Sequence, residues 1–179
     1  MNKKKKIKKI KKTKRKFNKT ITKPALFLDR DGVINKDTGY VYKKTDFIWR
    51  KDIFKFIKRY NTKNYFVFII TNQSGIGRGY YTEKDLHKLH TWMLNKFKAK
   101  GCQINKIYFS PYYKYSKIKK YKKEEKMKKP NIGMILKAKK DFNVDINKSI
   151  LIGDSRTDKL AAIKSGMKYK ILQFNSKLI

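Results

Sequence analysis

Five short apolar runs, at residues 25–28, 66–70, 107–109, 149–152 and 169–174, do most to limit what this chain can fold into. Each is too short for a helix, and segments with helical spacing separate them. Ile53, Phe54, Phe56 and Ile57 suit one helix face. Leu86, Leu89, Met93, Leu94 and Phe97 suit another, behind a Thr82 cap with Asp85 three residues on and a Gly101 stop. Residues 132–142 and 158–165 complete the set, the latter ending at Gly166. Strand and helix alternate throughout, which predicts an α/β domain, a Rossmann-like parallel sheet with helices on both faces and no large cap domain.

The charge is extreme, with 49 Lys plus Arg against 13 Asp plus Glu, for a formal +36. Only six of the basic residues are Arg, and Ile, Asn, Tyr and Phe are abundant beside the Lys. These residues share A- or T-rich codons, which favours a compositional origin for the charge over a nucleic-acid or membrane surface. A surface poor in Arg also lacks the planar forks that bind phosphate bidentately. Thirteen Lys or Arg crowd residues 1–23, so a disordered basic tail is expected there and the folded domain over 24–179. No apolar run approaches the ~18 residues a membrane helix needs. Cys102 is the single cysteine, which excludes an intramolecular disulfide and suits a reducing, cytoplasmic setting.

In an open parallel sheet, ligands bind beyond the carboxyl ends of the strands. Here those ends read Asp29-Arg30-Asp31-Gly32, Thr71-Asn72-Gln73-Ser74 and Gly153-Asp154. Three carboxylates, a hydroxyl and an amide thus meet on one rim, a set of hard oxygen ligands suited to Mg²⁺ and a phosphate. A carboxylate beside such a cation can attack phosphorus. Asp29, at the strand tip, is the expected nucleophile, and Asp31 the group that protonates the leaving oxygen and later deprotonates water. Thr71, Asn72 and a lysine are expected to hold the phosphoryl oxygens.

Asp29-x-Asp31-x-Val33, Thr71, Lys129-Pro130 and Gly153-Asp154-x-x-x-Asp158 resemble, in order and spacing, the four motifs of the haloacid dehalogenase (HAD) superfamily. The flanks Phe27 to Asn35, Gly39-Tyr40-Val41 and Thr71 to Gly79 are similar to those of the D-glycero-D-manno-heptose 1,7-bisphosphate 7-phosphatases and the related histidinol phosphatases. The resemblance implies a HAD-like phosphatase in which Asp29, the Asp31 carbonyl and Asp154 bind Mg²⁺ with Asp158 in support. It further implies that Asp37, Thr38, Gly39 and Tyr40 line the substrate, joined by Gln73 and Ser74, and that Lys128 and Lys129 face phosphate. Lys128 stands where the family usually has Arg. The family's zinc loop carries Cys-x-His and Cys-x-Cys, and the corresponding residues here are Ser110, Tyr112, Glu125 and Met127. A structural zinc is therefore expected to be absent.

His87 and His90 have no Cys or acidic cluster beside them and read as structural. Cys102 reads as a packed thiol, and Trp49 and Trp92 as core or cover. Gly75, Gly77 and Gly79 read as turn glycines rather than a phosphate loop. The implied activity is hydrolysis of a heptose bisphosphate by a monomer, favoured over histidinol phosphate because Ser74 follows Thr-Asn-Gln where the histidinol branch commonly has an acid. A 3′-phosphatase acting on nucleic-acid ends is the second enzymatic reading, with the tail and the Lys/Tyr-rich segment 112–123 as its surface. A non-catalytic basic module is the third, and the intact acids argue against it.

Overall fold

The computed structural model describes residues 22–122 and 125–178. The tail expected over 1–23 therefore lies outside the described residues except for Thr22 and Lys23. Lys23, counted with the tail by its charge, opens the first strand and pairs with Val144. The sheet is five-stranded and wholly parallel. It comprises β1 (Lys23–Leu28), β2 (Phe66–Asn72), β3 (Lys106–Ser110), β4 (Val144–Gly153) and β5 (Lys168–Ile171), in the order β3-β2-β1-β4-β5. The chain builds outward from β1 to one edge, then returns to its other side. The switch in strand order falls between β1 and β4.

The apolar runs are continuous because both sheet faces are covered. Leu26, Leu28, Val67 and Ile69 point to one face. There they meet Ile53, Phe56 and Ile57 of α1 (Ile53–Thr62) and Leu89, Met93 and Phe97 of α3 (Glu83–Ala99). The alternate residues Ala25, Phe27, Phe68 and Ile70 point to the other. Their partners are Met134, Ile135 and Ala138 of α4 (Gly133–Phe142) and Ala161 and Ala162 of α5 (Arg156–Ser165). Trp49 and Trp92 join Phe47, Phe54 and Phe97 in an aromatic cluster over the first face, and the Cys102 thiol is buried against the Phe54 carbonyl. The Thr82–Asp85 capping box forms as the spacing predicts.

Three local expectations change. Strand β4 starts five residues earlier than its apolar run, because Val144 and Asp145 pair with Lys23 and Pro24 ahead of a register shift. Strand β5 stops at Ile171, three residues short. Residues 74–78 form a short helix, α2 (Ser74–Arg78), so Gly75 and Gly77 are not turn residues. A Cβ at Gly75 would collide with the Tyr81 ring and one at Gly77 with the Pro111 carbonyl, so both are close-approach glycines. Only Gly79, at φ +83°, serves the turn.

Candidate active site

The two strands on either side of the switch point bring the acids together. Asp29 follows β1 and Asp154 follows β4, with the Asp29 amide donating to the Ile152 carbonyl at 2.9 Å. Around them a cleft of about 440 Å³ is lined by Asp29, Asp31, Asp37, Gly39, Tyr40, Thr71, Asn72, Gln73, Ser74, Tyr81, Lys129, Asp154, Ser155 and Thr157. Of the residues singled out from sequence, only Thr38, Lys128 and Asp158 do not line it. Thr38 is exposed on the loop and Lys128 is half-buried.

Asp158 lies beneath the floor. It is fully buried, closes a capping box with Ser155 at the start of α5, and ion-pairs with Lys129 Nζ at 2.6 Å. The same ammonium meets Asp29 Oδ2 at 2.9 Å and donates to the Ile70 carbonyl at 3.0 Å. Burial alone would lower the Lys129 pKa, but Asp29 and Asp158 outweigh it and hold the lysine above its ordinary value. Asn72 was expected to grip phosphoryl oxygens. Its carboxamide lines the cleft, donates to the Lys129 carbonyl and accepts from the Lys129 amide, so it also sets the lysine's backbone.

One oxygen of each of Asp29, Asp154 and Asp158 lies within 4.8 Å of the others. Burial pushes Asp29 up to about 8, with Asp158 and Asp31 adding to it and Lys129 opposing it. Asp154 is raised to about 6, by burial first and then by Asp158. One ammonium therefore leaves this carboxylate group short of positive charge. Hard oxygens with uncompensated negative charge fit a small divalent cation. Gly32 at φ +79° gives the site room, since a Cβ there would run into the Asp154 carboxylate.

The Asp31 carboxylate, which lines the same cleft, accepts from a net of donors. Arg30 grips it twice through Nη2, at 2.9 and 2.8 Å, and once through Nε at 3.2 Å. Asn35 Nδ2 and Gln73 Nε2 each add a bond at 2.9 Å. Gln73 Nε2 also reaches Thr71 Oγ1 at 2.7 Å, which leaves the Thr71 hydroxyl proton for another acceptor. Tyr81 donates to Gln73 Oε1 at 2.6 Å and so fixes which end of the amide faces Asp31. Burial raises the Tyr81 pKa, keeping it a donor.

Several of these contributors were missed. Arg30, Tyr81, Ser155 and Thr157 took no role in the sequence reading, although Ser155-x-x-Asp158 has capping-box spacing. Arg50 was missed too. It is buried and donates to the carbonyls of Gly32 and Val33 in the loop after β1 and to those of Gln173 and Ser176. It thereby straps the C-terminal segment to the site loop.

The polynucleotide kinase 3 phosphatase family matches residues 25–171. The D-glycero-alpha-D-manno-heptose-1,7-bisphosphate 7-phosphatase of Burkholderia mallei is 43% identical over 148 residues, which cover 83% of this chain and 78% of the relative. The beta-anomer enzyme of Rhodopseudomonas palustris is 41% identical over 145 residues, covering 81% of each chain. In structure, the D,D-heptose 1,7-bisphosphate phosphatase of B. bronchiseptica, complexed with magnesium and phosphate, superposes with a TM-score of 0.72 at 26% identity, covering 83% of this chain and 79% of that one. With its acids on the two strands at the switch point, this phosphoric monoester hydrolase belongs to the polynucleotide kinase 3 phosphatase family of HAD-like enzymes and groups there with the heptose-1,7-bisphosphate 7-phosphatases.

Proposed function

We propose that the enzyme removes the 7-phosphate of D-glycero-D-manno-heptose 1,7-bisphosphate through an aspartyl-phosphate on Asp29. The observation that carries this is the convergence of Asp29, Thr71, Lys129 and Asp154 around one cleft, in a chain about two-fifths identical to enzymes of that name. An Asp29 oxygen forms the new bond to phosphorus as the bond to the sugar oxygen breaks. Asp31 passes a proton to that leaving oxygen. It then takes one from the water that attacks the aspartyl-phosphate, which regenerates Asp29 and releases phosphate. The Thr71 hydroxyl donates to a phosphoryl oxygen, and the Lys129 ammonium, held beside Asp29, offsets the negative charge as it redistributes. Asp29, the Asp31 carbonyl and Asp154 are the residues to hold Mg²⁺, which when bound offsets the repulsion between Asp29 and the substrate dianion.

The rival surface for nucleic acid loses most of its stacking platforms. Tyr121 is buried and donates to Glu83 Oε1 at 2.6 Å, Tyr112 packs beside it, and the Arg78 guanidinium covers Tyr113 at 3.8 Å. Of the four tyrosines in that segment only Tyr115 is freely exposed. The discriminating experiment measures phosphate release from heptose 1,7-bisphosphate, histidinol phosphate and a 3′-phosphorylated oligonucleotide. Turnover should be fastest on the first and should stop reversibly with EDTA. Preferential release from the oligonucleotide would replace the heptose reading with the nucleic-acid one.

The loop over 110–129 is proposed to fold without zinc. Ser110, Tyr112, Glu125 and Met127 offer a single carboxylate between them, whereas Ile76, Tyr81, Leu86 and Tyr121 form a small apolar cluster that holds the loop. Elemental analysis of purified enzyme should find no stoichiometric zinc, and one zinc per chain would refute this.

A further inference from the structure

The capped helix α3 carries a buried histidine that the chemistry above does not use. His90 is 5% exposed, and its Nε2 lies 3.3 Å from Arg30 Nη1. A guanidinium has only donors, so Nε2 must accept and the ring proton must sit on Nδ1. Burial, Arg30 and His87 all push the His90 pKa well below its ordinary value, so the ring is neutral and its lone pair free.

Arg30 is 0% exposed, and each of its nitrogens has a partner. Nε and Nη2 hold Asp31, Nη2 also donates to the Val41 carbonyl at 2.6 Å, and Nη1 has His90. Asp31 and His90 therefore grip the guanidinium from opposite sides. Without the histidine acceptor, Nη1 would be a buried donor with no partner, a state proteins avoid by moving the group toward water. Such a movement would take Arg30 out of the Asp31 fork and leave that carboxylate with only Asn35 and Gln73.

We propose that His90 is a positioning residue: its Nε2 anchors Arg30, and Arg30 holds the Asp31 carboxylate where it can pass a proton to and from the reacting oxygens. This rests on the assignment of Asp31 as the proton carrier, so its test must separate the two. A sugar alkoxide needs a proton to leave, whereas nitrophenolate leaves without one. Loss of a well-placed acid therefore lowers kcat/KM on heptose bisphosphate more than on p-nitrophenyl phosphate.

The experiment compares that ratio in the wild type, Asp31→Asn, His90→Phe, His90→Met and His90→Gln, with thermal melting of each as a check on folding. His90→Phe should depress the sugar-to-aryl ratio about ten-fold, in the same sense as Asp31→Asn. His90→Gln, whose side-chain oxygen can take the Nε2 position, should recover most of it. His90→Met, also without a suitable acceptor, replaces His90→Phe if the latter does not fold. A wild-type ratio in the folded Phe or Met variant, while Asp31→Asn shows the asymmetry, overturns the role of His90. No asymmetry in Asp31→Asn overturns the assignment of Asp31 instead. An equal fall on both substrates that Gln fails to rescue marks His90 as merely structural and also overturns the proposal.

Discussion

Asp29→Asn should reduce phosphate release by at least about four decades, because an amide cannot accept a phosphoryl group and removal of a nucleophile costs losses of this order. The fold should survive. Asp29 is held in a buried site that already disfavours its charge, and Lys129 keeps Asp158 as a partner when Asp29 is neutralised. Activity should therefore vanish with the melting temperature unchanged or slightly raised. Asp31→Asn should behave differently, slowing turnover severely while still letting Asp29 become phosphorylated. Mass spectrometry of acid-quenched protein would show the difference as an added phosphoryl group on the Asp31 variant and none on the Asp29 variant. Near-normal turnover by Asp29→Asn would rule out the covalent route.

Lys129→Met should be the largest perturbation of stability. The ammonium is 2% exposed and lies between two carboxylates, at 2.9 Å from Asp29 and 2.6 Å from Asp158. Removing one partner from a buried charge cluster typically costs about 3–5 kcal/mol, because the remaining charges keep their desolvation penalty and lose their attraction. Urea denaturation should show the unfolding free energy lowered by that amount, with the midpoint moved to lower urea. Adding Asp158→Asn to Lys129→Met should return part of the loss, since it removes one of the stranded charges. If Lys129→Met unfolds at the wild-type urea concentration, the lysine is not the electrostatic keystone described above.

The sheet was legible because strands buried on both faces are written as uninterrupted apolar runs, and because helical spacing between them leaves few topologies. The acids were legible for a related reason, as strand ends in a parallel sheet share one rim. What escaped were residues whose role depends on distant partners. Arg50 looks like one more basic residue in a chain crowded with them, yet its acceptors include Gln173 and Ser176. His90 read as structural, and its contact with Arg30, sixty residues earlier, has no signal in the local spacing. Asn72 was read from its place at the strand end as a phosphate contact, and its bonds to the backbone of Lys129, fifty-seven residues on, could not be read from local spacing. The early half of β4 was hidden because Asp145, Asn147 and Lys148 break the apolar pattern, whereas its pairing with Lys23 and Pro24 is a backbone matter.

The place of β1 in the sheet has a consequence for how the enzyme is made. Its two neighbours are β2, which follows soon after it, and β4, which begins only at Val144. A chain growing from the ribosome can pair the first three strands early, but the second edge of β1 stays bare until most of the protein has emerged. Contacts of such long sequence separation form slowly, and an unpaired apolar edge invites other chains. Asp154, and with it the acidic group, arrives on the same late strand. A nascent chain that stops before it thus has an exposed strand edge and no catalytic centre. Completion of the active site and protection of the central strand are one docking event.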